Sequence, residues 1–226
     1  MGRTVPLVGA VATVLVVALL APAPAQAATG CTLNDPDRDI MRIFPGATSY
    51  TTEFIAISDR GGDSLATAIE AELGDTLDPA FEALDVPYAY YTVLKGKEVI
   101  GRVHGVNQKG TFGGMQLIIA TDPDGVIVDF YYQKLSSPEA KAFRADAFTE
   151  QFTGLTLTDF LTREEPVEPE GGPNPVAAIE DPSQESSGDF AATLRGVTKN
   201  LLLLRGFMLK AEPADAADKE EPNAND

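Results

Sequence analysis

Apolar and polar residues change rhythm several times along this chain, and each change predicts an element. Tyr50–Ser58 alternates with the two-residue period of a half-buried strand before Arg60-Gly61-Gly62 interrupts it. Beyond that break, Leu65, Ile69 and Leu73 share one face of a helix, with Asp63 or Ser64 as its cap. Asp39–Phe44 predicts a short helix ending at Pro45-Gly46, and Pro79–Leu84 a second short one. Tyr88–Leu94 and Val99–Val106 then read as strands joined by Lys95-Gly96-Lys97-Glu98. Gly110–Gly114 is a glycine-rich turn, and Met115–Ala120 and Val126–Gln133 flank Asp122-Pro123-Asp124-Gly125, a hairpin turn signal. Ser137-Pro138-Glu139 has the cap, first-turn proline and first-turn acid of a helix, predicted to run to Phe152. Leu194, Val197, Leu201, Leu204 and Met208 form the apolar stripe of a long helix over Asp189–Lys210. Together these predict an α+β domain: a mainly antiparallel twisted sheet packed against two or three helices.

Both ends of the 226-residue chain differ from this body. Residues 1–27 have the build of a signal peptide, with Arg3 before the apolar run Val5–Leu20 and Ala25-Gln26-Ala27 as a cleavage site. The chain is therefore expected to be exported, to a periplasmic or extracellular location. Residues 28–38 read as a linker, 39–210 as the domain, 163–188 as a Pro/Glu-rich excursion from it, and 211–226 as a disordered acidic tail. No segment after the signal is apolar enough to span a bilayer. Cys31, the sole cysteine, follows Ala28-Thr29-Gly30, a loose match to a lipoprotein processing site, so a lipid anchor there is an alternative to simple cleavage. One cysteine cannot form an intramolecular disulfide or a cysteine-based metal centre.

The formal charge is −17, but its location matters more than its size. Residues 164–188 hold seven acids and no Lys or Arg, and 211–226 hold six acids against Lys219, so these two segments account for −12. The body is mildly acidic, which argues against nucleic-acid binding.

Candidate chemistry is sparse. Phe54–Ser58 followed by Gly62-Asp63-Ser64-Leu65 imitates a serine-esterase nucleophile block. A serine needs a base, however, and the sole imidazole, His104, lacks an acid three residues before it, where Gly101 stands. Asp35, Asp37 and Asp39 open like a calcium loop, but Ile40 replaces its turn glycine and Gly46 its bidentate acid. The aromatic runs Tyr88, Tyr90, Tyr91 and Phe130, Tyr131, Tyr132 fall in strands, where cross-strand packing accounts for them. Reactivity, if present, would come from a bound cofactor.

One ordered set of motifs suggests which. Lys109-Gly110-Thr111-Phe112-Gly113-Gly114-Met115, then Asp122-Pro123-Asp124-Gly125-Val126-Ile127, then Ser136-Ser137-Pro138-Glu139, then Gln151-Phe152-Thr153-Gly154, occur in that order, with Phe44-Pro45-Gly46-Ala47-Thr48 upstream. This succession resembles the FMN-binding domain of the flavin-carrying subunits of sodium-translocating NADH:quinone oxidoreductase and Rnf complexes. The resemblance implies an electron-transfer component working with membrane or extracytoplasmic redox proteins. It implies FMN near Gly110, Gly113, Gly114, Ser136, Ser137 and Pro138, where glycines admit a ring edge and a helix start offers N–H groups. The family attaches its flavin to a Thr before the last helix. Here that stretch is Ser186-Ser187-Gly188-Asp189-Phe190-Ala191-Ala192-Thr193, which places Ala191 or Phe190 in the acceptor register and leaves Thr193 nearby. The flavin is thus expected to be non-covalent. The alternative is a flavin-free binding or scaffold module.

Overall fold

The computed structural model describes residues 30–77, 85–164, 172–184 and 187–208. The expected signal peptide, the helical stretch at 79–84 and the acidic tail lie outside the described residues. The expected α+β architecture is present. Five strands, β1 (Ser49–Ile55), β2 (Tyr88–Lys95), β3 (Glu98–Lys109), β4 (Gly114–Thr121) and β5 (Ile127–Leu135), form one antiparallel meander in chain order. Around it stand α1 (Pro36–Ile43), α2 (Asp63–Leu73), α3 (Ala140–Phe143), α4 (Asp146–Thr149), α5 (Leu157–Leu161) and α6 (Ser187–Met208).

The central strands β2–β4 are buried on both faces, which is why they show weak alternation. Tyr88, Tyr90, Val106, Leu117 and Ile119 face α6 and its neighbours. Ala89, Tyr91, Val93, Val103, Ile118 and Ala120 face α1 and the segment before it. Residues 30–35 are consequently part of the domain rather than a linker. Gly30 N–H donates to Pro87 O at 2.7 Å, and Cys31 and Leu33 are core residues.

Two expectations about helices are corrected. The single helix expected from Ser137 to Phe152 is three short turns, α3, α4 and a 3-10 turn at Glu150–Phe152, broken where Ala145 is extended. In one continuous helix Phe143 and Phe152 would lie on opposite sides, nine residues at 100° apiece. The break turns Phe143, Phe148 and Phe152 into the same core, where Phe152 packs 4.4 Å from Phe130, ring centre to ring centre. Neither Asp63 nor Ser64 caps α2: its N-cap is Gly62.

Of the expected stripe on α6, Val197, Leu201 and Leu204 are buried and Leu194 is half-buried, whereas Met208 is exposed, and the helix is enclosed on more than one side. It crosses β3 and β4 and is flanked by α2 and α5, so Leu202, Leu203 and Phe207 are buried as well. Each such side chain contributes about 1.5–3 kcal/mol. The excursion also folds back in part. Val176 and Ile179 are buried, and Asn174 Nδ2 donates to Asp159 O at 2.9 Å beside α5.

Candidate functional site

The β3–β4 turn, the end of β5 and the start of α6 meet at one end of the sheet, and they bring several of the expected site residues together. Gly110 N–H donates to Gly113 O at 2.8 Å, which closes the turn, and Gly113 has φ 140°, a conformation that favours glycine. A Cβ on Gly110 would stand 2.5 Å from Met115 Cε and 2.8 Å from Asp189 Oδ1, and one on Gly113 would stand 3.0 Å from Ser136 Cβ. Asp189, in the first turn of α6, accepts from Thr111 N–H at 2.7 Å. One turn further, Thr193 Oγ1 donates to Asp189 O at 2.8 Å, so the 2.6 Å bond between Tyr132 and Thr193 has the tyrosine hydroxyl as donor. Burial pushes the Tyr132 phenol up, with Asp189 adding to the effect.

Gly110 and Thr193 thus adjoin Asp189, with Gly113 bonded to Gly110 and Ser136 against Gly113. The other three lie along the same segments with local roles. Gly114 opens β4 opposite Lys109, Ser137 Oγ accepts from Glu139 N–H at 3.3 Å, and Pro138 is exposed.

Whether a flavin phosphate fits here turns on Asp189. Phosphate binding at a helix start needs unclaimed N–H groups and a positive local field. Asp189 is 0% exposed and places a carboxylate in that field. Its Oδ1 has claimed Thr111 N–H, while its Oδ2 is buried without a hydrogen-bond partner among the described residues. The Thr193 hydroxyl is committed to Tyr132 and Asp189, and glycines 110 and 113 admit Met115, Asp189 and Ser136. As arranged, the start of α6 does not fit the phosphate of FMN.

Sequence reading missed the polar seam that continues from this cluster along α6 and β3. Arg195 Nη1 donates to Gln108 Oε1 at 2.7 Å, and Lys199 Nζ to Asn107 O at 2.6 Å. Asn200 meets the His104 ring at 2.7 Å. The signal available was the polar set Thr193, Arg195, Thr198, Lys199 and Asn200 among the apolar residues of the helix.

A second feature, also unforeseen, is a cleft of about 400 Å³ between α1, β5 and α4, lined by Arg38, Arg42, Asp129, Tyr131, Arg144 and Thr149. Arg42 pairs with Asp129 at 2.9 Å, and its guanidinium carbon lies 5.1 Å from the centre of the Tyr131 ring. Asp39 accepts from Tyr131 at 3.1 Å and pairs with Arg38 at 3.0 Å. The three acids that open like a calcium loop are separately engaged: Asp35 accepts from Arg38 N–H, Asp37 from Tyr50 Oη, and Asp39 as described.

Cys31, the alternative lipid site, is 1% exposed and packs against Gly105, whose Cβ would lie 2.7 Å from Sγ. Burial pushes its thiol up to about 12. A diacylglyceryl group on that sulfur does not fit this position.

No protein-family model matches this chain, and no curated protein matches it significantly. The family resemblance therefore rests on the order of the motifs quoted above.

Proposed function

We propose that this chain is an exported binding module that works without a flavin of its own. Export is read from residues 1–27. The observation that carries the rest is Asp189, a carboxylate of the chain itself bonded to Thr111 N–H where an incoming phosphate would need that donor. The cleft beside Arg38, Arg42 and Arg144 supports the reading, since it presents fixed charges of both signs to a polar partner. Electron transfer through non-covalent FMN, with membrane or extracytoplasmic redox proteins as partners, is the second reading. It is favoured by the convergence of Gly110, Gly113, Ser136 and Thr193 on one end of α6.

The two readings separate on colour. The chain is expressed with its own signal in a bacterium that exports and flavinylates such domains, and its visible absorption is recorded before and after acid precipitation. A colourless protein that also fails to retain added FMN is the expected result. Yellow released into the supernatant would replace the proposal with non-covalent FMN and electron transfer. Colour held in the pellet would mean covalent attachment, at Thr193 or a neighbour.

A further inference from the structure

The two edges of the sheet are finished differently. On β5, Ile127 N–H donates to Leu155 O at 2.9 Å, Gly154 N–H donates to Ile127 O at 2.8 Å, and Arg144 bonds the carbonyl of Tyr132. The chain thereby engages its own last strand at Ile127 and Tyr132. Among the described residues the backbone of β1 ladders to β2 alone, in unbroken register over all seven residues. Exposed edges are commonly blunted by proline, charged side chains or a bulge. β1, Ser49-Tyr50-Thr51-Thr52-Glu53-Phe54-Ile55, has no proline and no bulge, and Glu53 is its single charge. It also holds Phe54 59% exposed, on the α1 side of the sheet with Tyr50.

We infer that β1 pairs antiparallel with β1 of a second copy of this chain, across a twofold axis through Thr52. The occupant is a second copy because the strand complements itself. Opposite residues in such a pair share a face, so the axis must pass through a residue, and only Thr52 lets all seven residues pair. That axis sets Tyr50 opposite Phe54 twice, an aromatic cross-strand pair on each side of Thr52, and Glu53 opposite Thr51. No like charges meet. An axis through Glu53 would oppose two carboxylates, and one through Thr51 would leave Phe54 facing Thr48. The result is a continuous ten-stranded sheet, with the charged clefts beside each β5 at its two far ends. This pairing is independent of whether flavin binds.

The test uses the full chain. Sedimentation velocity over a concentration series is expected to show a monomer–dimer equilibrium, shifted at least tenfold toward monomer by Phe54→Lys, whose site is exposed and whose far-ultraviolet circular dichroism should stay native. Thr52→Cys is expected to give a disulfide-linked dimer under mild oxidation, and Glu53→Cys, which meets Thr51 instead of itself, at least tenfold less. A native chain that stays monomeric at the highest concentration, or equal cross-linking from both cysteines, overturns the inference.

Discussion

The imidazole of His104 on β3 and the amide of Asn200 on α6 are joined by a 2.7 Å hydrogen bond. Asn200 Nδ2 donates to His104 O at 3.2 Å and to Leu117 O at 3.3 Å, so its Oδ1 faces the ring and His104 Nδ1 carries the proton. The other ring nitrogen, Nε2, is buried without a hydrogen-bond partner among the described residues. Tyr88 and Phe207 pack around it, each 5.5 Å away between ring centres. Burial is the main cause of a depressed His104 pKa of about 4, with the Asn200 bond opposing it.

That depression predicts a pH dependence. The unfolded chain takes up a proton near 6.5 and the folded chain near 4, so between these values the unfolded state binds more protons. Stability is full above about 6.5 and falls as the pH drops toward 4, by at most about 3 kcal/mol from this group. Carboxylates titrate in part of the same range, so the variant His104→Gln isolates the imidazole. Urea titrations at pH 7 and pH 4.5 should show the native chain losing more stability than the His104→Gln variant loses. Equal losses would remove His104 as the cause.

The contact between Gly105 and Cys31 predicts a coupled pair. A Cβ at position 105 would lie 2.6 Å from Ile118 Cδ1 and 2.7 Å from Cys31 Sγ, both too close to stand. Gly105→Ala is therefore expected to cost about 1–3 kcal/mol through overpacking. Removing the sulfur gives the new methyl room on one side, so Gly105→Ala with Cys31→Ala should lose less than the sum of the single variants. Strict additivity in thermal or urea denaturation would mean that the two positions do not share this space.

The same burial governs the chemistry of Cys31. A thiol pushed up to about 12 stays protonated at neutral pH, and the thiolate is the reactive form. Iodoacetamide at pH 8 should leave the folded, exported protein unmodified and label it fully in denaturant. Intact mass spectrometry reads both outcomes. An added diacylglyceryl mass on the exported protein would instead place Cys31 outside the core and restore the lipid anchor.

Strands and turns were legible in the sequence because hairpins are local. Asp122-Pro123-Asp124-Gly125 and Lys95-Gly96-Lys97 specify turns whose flanking residues then pair in order. The breaks at Ala145 and in the excursion were not legible, since they follow from which residues the core receives. Phe143 and Phe152 are drawn inward by Phe130 and Tyr132 of β5, and periodicity within one segment carries no information about that partner. The site residues were legible as an ordered list of glycines and serines. What their arrangement does was not, because Asp189 lies 78 residues beyond Thr111 and only the fold joins them.

The reach of Asp189 to Thr111 leads to the last prediction. Replacing it with Ala removes the acceptor of the part-buried Thr111 N–H and should cost about 1 kcal/mol. Asp189→Asn keeps an oxygen for Thr111 and removes the charge, so its stability should stay closer to native. Without that charge the start of α6 should also regain attraction for anions. In equilibrium dialysis, the native chain is expected to retain no FMN, and the Asp189→Asn variant to retain it with at least tenfold higher affinity. If neither protein retains FMN, the packing of Met115 and Ser136 against Gly110 and Gly113, rather than the charge on Asp189, closes this end of the helix. If both retain it equally, Asp189 does not guard the site, and the flavin reading takes precedence over the flavin-free one.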